Sequence, residues 1–262
     1  MDEIKTPLHK IRQVAAKILN KFNTLLLAPF LLNKYRILVE RSKGGIMPRA
    51  RRILGDDVHY HIIVRCNNGE FLLKERDDFQ FFLDLLAESK TRFYFRLYNY
   101  TLLHSHAHLI LSTHKGYFVN EVMHQFCLSY SRNFNKRHGR TGHLWKNRYR
   151  CKPILTEAHA LACLRYQHRN PDKAGIVSNP GQWPWCGYRF YAFGLENPML
   201  TYHPTYLGLA ADQETRQRFY RKIVEAPLTS KECGLLEGRA RPQSKRFQME
   251  VARHIQQVSG TC

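Results

Sequence analysis

The run Leu102-Leu103-His104-Ser105-His106-Ala107-His108-Leu109-Ile110-Leu111 sets three histidines at alternate positions among apolar residues. Along an extended strand, side chains two apart share a face, so these imidazoles project together. Two imidazoles in that relation can take adjacent positions on one divalent ion. Ala107, small and apolar, suits the opposite, core-facing side, and Ser105 suits it less. His106 and His108 are therefore the favoured metal-binding pair, ahead of His104 and His106. Taken alone, a histidine pair in a chain with 14 histidines is more often structural or simply exposed.

A second cluster follows in Leu161-Ala162-Cys163-Leu164-Arg165-Tyr166-Gln167-His168-Arg169-Asn170-Pro171. On a helix, Tyr166 and Asn170 stand one turn apart on one face. The Asn170 carbonyl oxygen can complete a metal site, with Tyr166 beside the ion. A tyrosine hydroxyl is a weak nucleophile at its ordinary pKa of about 10. A divalent cation helps by polarising a phosphate and offsetting the charge that develops during displacement. In isolation, a core tyrosine and an asparagine ending a helix before proline explain the same residues.

Between the two clusters, residues 130–150 interleave cations with rings. Arg132, Lys136, Arg137, Arg140, Lys146, Arg148 and Arg150 alternate with Tyr130, Phe134, Trp145 and Tyr149. Cations track a phosphate backbone, and exposed rings stack on unpaired bases. The whole chain agrees: 41 Lys+Arg against 21 Asp+Glu in 262 residues give a net charge of +20, which favours a polyanionic partner. A basic membrane-surface protein would share the charge without needing the His, Asn and Tyr pattern.

The elements that must hold these residues are legible from periodicity. Residues 58–65 read as a strand, and 79–89 as a helix N-capped from Asp77-Asp78, with Phe79, Phe82, Leu83 and Leu86 at helical spacing. Residues 93–103 and 106–112 read as two strands broken near His104-Ser105, and 117–138 as a helix. Residues 144–155 are strand-like. Thr156 then caps a helix running to about Asn170, where Pro171 is expected to stop it. This order, β-α-β-β-α-β-α, implies an α+β fold with an antiparallel sheet and helices packed on it.

The ends read differently. Residues 1–46 suggest one or two amphipathic helices, 11–22 and 30–39, either as an accessory segment or as residues ahead of a true start at Met47. The apolar run 25–32 contains Pro29 and is too short to span a bilayer. No cleavage site follows it, so neither a signal peptide nor a membrane association is expected. Residues 213–224 and 247–257 read as helices joined through a Lys/Arg-rich stretch, 239–246. Hydrophobic residues at 44% are enough for a packed core. Seven cysteines without a Cys-x-x-Cys pair argue for a reducing cytoplasm and against a zinc ribbon.

Taken in order, these residues resemble the single-tyrosine HUH transposases, in the REP-associated tyrosine branch of the insertion-sequence-200-like family. The resemblance runs over about 47–225. It rests on Met47-Pro48-Arg49-Ala50-Arg51, Tyr60-His61, the histidine strand, Tyr130 to Gly139, and Gly142-His143-Leu144-Trp145. It continues through Arg148-Tyr149, Leu164 to Gly175, and Trp183-Pro184-Trp185-Cys186-Gly187-Tyr188.

The resemblance implies a ferredoxin-like sheet over residues 47–195, with a helical extension over 196–262. It implies His106, His108 and Asn170 as ligands of Mg²⁺ or Mn²⁺, and Tyr166 as a nucleophile forming a 5′-phosphotyrosine link. The implied partner is single-stranded DNA folded into REP-like hairpins, cut and in some relatives rejoined by a monomer or homodimer. The family usually carries Met-Pro-Asn ahead of its histidine pair, where this chain has Leu103-His104-Ser105. That departure leaves the pair intact and suggests an altered turn, or His104 as a base close to the metal. Two other readings remain: a hairpin-binding protein that does not cut, and a zinc-binding RNA protein.

Overall fold

The computed structural model describes residues 55, 57–227, 232 and 236. The expected segments 1–46, 239–246 and 247–257 lie outside the described residues. The elements run β1 (His59–Arg65), α1 (Arg76–Phe93), β2 (Arg96–Leu102), β3 (His106–Ser112), α2 (Val119–Arg137), β4 (Arg150–Pro153) and α3 (Glu157–Lys173). Three shorter or terminal helices follow: α4 (Tyr188–Phe193), α5 (Pro204–Leu207) and α6 (Gln213–Glu225). The expected order is the observed one.

The four strands form one antiparallel sheet in the order β2-β3-β1-β4. Each βαβ passage therefore skips a strand: α1 joins β1 to β2 around β3, and α2 joins β3 to β4 around β1. This is the split βαβ arrangement of a ferredoxin-like fold. It puts β1 and β3, the histidine-bearing strands, in the middle of the sheet.

Alternation divides the sheet into two faces with different chemistry. Tyr60, Ile62 and Val64 pair with Leu111, Leu109 and Ala107, which makes one face apolar. Helices α1 and α2 cover it: Phe82 packs edge-on against Phe126 and Tyr130, and Val64 shares a cavity wall with Met123 and Cys127. Phe82 and Leu86 are wholly buried, and burial of each side chain contributes about 1.5–3 kcal/mol. The opposite face carries His61, His106, His108, Asn99 and Thr101, and α3 covers it. The contacts that seat α3 there run from Gln167 and His168 to Asn99, and from Cys163 to His61.

Both sheet edges are protected against adventitious pairing. The segment after α3 runs along β2, where Leu102 donates to Trp185 O, Gly187 to Tyr100 O, and Thr201 to Leu97 O. Gly187 is required by this approach: a Cβ there would sit 2.2 Å from Asn99 Oδ1. The other edge, β4, has only four residues and carries Arg150 and Lys152.

Several boundaries differ from expectation, and three of the differences have a local cause. Helix α1 starts at Arg76 with Glu75 as its N-cap, because Asp78 turns back and accepts from the Lys74 and Glu75 backbone N–H groups. Its carboxylate therefore sits in the first turn, where the helix dipole favours it. The strand-like stretch 144–155 yields only Arg150–Pro153, since Trp145 makes a single bridge to Cys66 before the chain leaves the sheet. Helix α3 does have Thr156 as its cap, accepting from His159 N at 3.1 Å, but it runs through Pro171 to Lys173. Only one intrahelical donor is lost there, close enough to the end for the last turn to survive.

At the sheet end remote from His106, a chain of buried and half-buried polar groups is ordered by its donors. Thr205 N–H donates to His203 Nδ1, which leaves Nε2 of that neutral ring to donate to His59 Nδ1 at 2.8 Å. His59 Nε2 then donates to Tyr98 Oη, Tyr98 to Ser112 Oγ, and Ser112 to His114 Nε2. His114 Nδ1 ends the chain on the Asp57 carboxylate.

Burial holds His59 down to about 4, with the His114 charge adding to it, and His203 down to about 3, with the His59 charge adding to it. The unfolded chain therefore binds more protons than the native one between pH 6.5 and about 4. Stability is unaffected by these groups above pH 6.5 and falls as pH drops through that window. The slope approaches about 1.4 kcal/mol per pH unit per histidine. Calorimetry from pH 7 to pH 4 should show the melting temperature falling steadily. His203→Asn, which keeps an acceptor for Thr205 N–H but cannot titrate, should make the decline shallower.

Candidate active site

The site lies where the polar face of the sheet meets α3. Leu102 ends β2 and His106 begins β3, so residues 103–105 form the turn that feeds the histidine strand. His106 is half-buried and His108 has no exposed surface. Their ring centroids are 5.1 Å apart. Ala107 between them faces the apolar side, as its size predicts.

Each imidazole is held through Nδ1. His106 Nδ1 lies 3.1 Å from Ser105 Oγ, and His108 Nδ1 lies 3.1 Å from His61 Nε2 on the adjacent strand. His108 Nε2 is buried and meets no hydrogen-bonding partner within the described residues. A buried polar atom left so costs about 1–3 kcal/mol.

Electrostatics keep these rings neutral. Burial lowers His106 to about 4, with the Arg65 charge adding to it. Burial lowers His61 to about 3, with smaller effects from Lys152 and His159. His108 is pushed well down by burial first and by the His61, His106 and Arg65 charges after it. At neutral pH all three rings therefore have one nitrogen with a lone pair, the form in which imidazole binds metal.

Helix α3 presents Cys163 and Tyr166 towards this cluster, and Asn170 follows Tyr166 one turn further along the helix. The Tyr166 ring centroid is 5.6 Å from that of His108 and 6.3 Å from that of His61. Lys173 Nζ lies 5.7 Å from the Tyr166 ring centroid. Asn170 is buried, and its Nδ2 has no partner among the described residues. Cys163 Sγ is 3.9 Å from His61 Nδ1, and burial pushes its thiol up to about 12. Among the described residues no three His, Cys, Asp or Glu side chains are grouped as a metal cage. Two neutral imidazoles, one of them carrying the unpartnered His108 Nε2, are nonetheless donors of the kind a divalent cation takes.

The rest of α3 is spent on anchoring. Asn99 on β2 donates to Gln167 Oε1 at 2.7 Å and accepts from His168 Nε2 at 2.9 Å. Tyr220 on α6 donates to His168 Nδ1 at 2.7 Å. Arg165 and Arg169 reach the last carbonyls of α6, at Glu225, Ala226 and Pro227. Cations at a helix C-terminus are favoured there by the dipole.

His104 does not join the cluster. It sits in the turn after β2, its Nδ1 bonded 2.6 Å from Leu73 O, with its ring against Phe71, Phe79 and Trp183. The expectation that all three histidines project together fails because the strand has ended before His104. What sequence reasoning missed is His61: it lies diagonally across from His108 on the neighbouring strand, and no local motif announces that contact.

The basic stretch is only partly what it looked like. Arg132, Lys136, Arg137, Lys146, Arg148 and Arg150 are exposed. Arg140 is engaged with Glu70 at 3.0 Å. The rings between them are mostly core: Tyr130 and Phe134 are buried, following the i, i+4 spacing that points α2 inward, and Tyr149 is buried just ahead of β4. Trp145 is half-buried and donates to Cys127 O. It borders a cleft of about 510 Å³ shared with Asn120, His124 and Arg148.

The family model described as "Transposase IS200 like" matches residues 56–169, which include both histidines and Tyr166. No curated relative matches the chain. Among solved structures, one is described as a REP-associated tyrosine transposase bound to a REP hairpin. It shares 20% identity over 60% of this chain and 93% of its own, with a TM-score of 0.48. A second protein, assigned as a transposase from Deinococcus radiodurans R1, shares 16% identity over 45% of this chain and 91% of its own, with a TM-score of 0.34. Over residues 56–169 the family match agrees with the IS200-like resemblance drawn from the residues.

The anchoring of α3 can be tested without activity. Tyr220→Phe leaves His168 Nδ1 buried without its donor and should cost about 1–3 kcal/mol in urea unfolding. Phe219→Ala, at an exposed neighbour, should cost much less.

Proposed function

We propose that this chain, whose residues 56–169 match the IS200-like transposase family, cleaves single-stranded DNA folded into REP-like hairpins. The observation that carries the reading is the buried, unpartnered Nε2 of His108 beside the Tyr166 ring. A fold does not leave such a nitrogen in its interior without cost. His106, His108 and Asn170 would hold Mg²⁺ or Mn²⁺, and the bound ion would polarise the scissile phosphate.

In the proposed reaction the Tyr166 oxygen attacks phosphorus and the bond from phosphorus to the 3′ oxygen breaks. The 5′ fragment leaves on its 3′ oxygen, which takes up a proton in exchange for the one the Tyr166 hydroxyl gives up and becomes a free 3′-hydroxyl, and the phosphate stays on Tyr166 as a 5′-phosphotyrosine. Attack by a 3′-hydroxyl on that link reverses the chemistry and would rejoin strands. Tyr166 is fixed on a helix bonded to both the sheet and α6, which holds the nucleophile in place.

Arg132, Lys136, Arg137, Lys146, Arg148 and Arg150 would follow the DNA backbone from α2 to β4, and Trp145 would offer a ring edge in the cleft. Arg140, paired with Glu70, contributes less in this reading. We assign residues 47–195 as the nuclease domain, with 1–46 and 196–262 as extensions, working in the cytoplasm as a monomer or homodimer. Among the described residues no helix is long and apolar enough to cross a membrane.

The deciding experiment incubates the protein with labelled single-stranded hairpin DNA and Mg²⁺ on a denaturing gel. A slow protein–DNA species should appear with wild type and vanish in Tyr166→Phe, while hairpin binding persists. Binding without any adduct across many hairpins would leave a hairpin-binding protein and refute the nuclease. Lys136→Ala and Arg148→Ala should each weaken binding to unrelated hairpins alike and flatten the log K against log[salt] slope by about 0.7–0.9.

A further inference from the structure

His61 is placed to control how His108 offers its lone pair. It is buried on β1, diagonal to His108 on β3, with its Nε2 3.1 Å from His108 Nδ1. The two rings lie nearly parallel, 28° apart, with centroids 5.4 Å from each other. On the far side of His61, Nδ1 faces Cys163 Sγ at 3.9 Å. The three groups therefore form a row, Cys163–His61–His108, ending at the unpartnered His108 Nε2.

A neutral imidazole carries one proton on two nitrogens, so the row has two arrangements. In the first, His61 Nε2–H donates to His108 Nδ1, and the His108 proton sits on Nε2, where it meets nothing and blocks metal binding. In the second, His108 Nδ1–H donates to His61 Nε2, the His61 proton sits on Nδ1 towards the Cys163 sulfur, and His108 Nε2 bears a lone pair. Only the second makes His108 a ligand. A buried partner that accepts at Nδ1 fixes both the tautomer and the ring orientation of a ligating histidine.

We infer that His61 is the positioning residue of His108, accepting its Nδ1 proton so that the His108 Nε2 lone pair is held ready for a divalent cation. This rests on the metal reading given above. His106 is served differently, by Ser105 Oγ from its own strand. The two expected ligands thus differ in support: one has a short local side chain, the other a buried ring from the adjacent strand. Loss of His61 should accordingly lower metal affinity while sparing the chemistry at a saturating metal concentration.

The test measures Mn²⁺ binding to the full chain by electron paramagnetic resonance, with melting curves of the metal-free proteins as the fold check. Wild type, His108→Ala, His61→Leu and His61→Gln are compared. His61→Leu should bind Mn²⁺ about 10- to 100-fold more weakly than wild type, with hairpin nicking restored by excess Mn²⁺. His61→Gln, whose Oε1 can accept from His108 Nδ1, should bind within a few-fold of wild type.

Equal affinity in wild type and His61→Leu, with His108→Ala still defective, would overturn the role of His61 and leave the metal pair standing. Equal weakness in the Leu and Gln variants, both melting normally, would overturn the hydrogen bond as its cause. No Mn²⁺ binding by wild type would overturn the metal pair and this inference together. If His61→Leu melts early, His61→Met takes its place as the variant that fills the site without an amide or imidazole acceptor: a tenfold loss of Mn²⁺ affinity there with His61→Gln spared supports the role, and wild-type affinity there refutes it.

Discussion

A neutral imidazole buried in the middle of a sheet, with one nitrogen bonded and the other not, is the constraint on which the rest of this molecule turns. His108 can be there only because burial keeps it uncharged. It can be oriented only because His61 reaches it from the adjacent strand. Both conditions need a sheet in which the histidine strands are central, and the split βαβ connection supplies that. Had β1 or β3 been an edge strand, water would satisfy the second nitrogen and the ring would be free to turn.

The sheet can carry a polar face because it is covered on both sides. Helices α1 and α2 take the apolar face with a core of Phe and Leu side chains. The polar face is not simply left open: Asn99, His168 and Tyr220 bond in sequence from β2 through α3 to α6. Burying such groups is unfavourable unless each finds a partner. Here most do; on this face the exceptions are His108 Nε2, Gln167 Nε2 and Asn170 Nδ2, and others, such as Thr113 Oγ1 and Asn120 Oδ1, lie elsewhere among the described residues.

Element order and the inward Ala107 could be read from the chain because they depend on short-range periodicity. The same is true of Tyr166 and Asn170 sharing a helical face. The pairing of His61 with His108 could not, since it depends on strand register and the two residues are 47 positions apart. His104 illustrates the reverse error: alternate spacing implies a shared face only while the strand lasts, and β2 ends at Leu102. Pro171 misled for a related reason, since a proline in the last turn removes one hydrogen bond without ending the helix. The aromatic residues of the basic stretch were legible as a pattern but not as a location. Tyr130 and Phe134 obey the helical repeat that buries them, and only their charged neighbours are left outside.

Net charge alone says little about which cations are free to meet a polyanion. Arg165 and Arg169 lie within the tyrosine helix itself, yet their guanidiniums are committed to the C-terminal carbonyls of α6. Arg140 is committed to Glu70. These three are structural charges, and neutralising phosphate with them would first require breaking the contacts that seat α3 or the 139–142 loop. The exposed cations of α2 and β4 carry no such burden. Screening by salt acts strongly on them and weakly on the partly buried set. The molecule thus divides its positive charge by burial: one part fixes the helix that presents Tyr166, and the other is left to solvent, where it can be exchanged for a ligand.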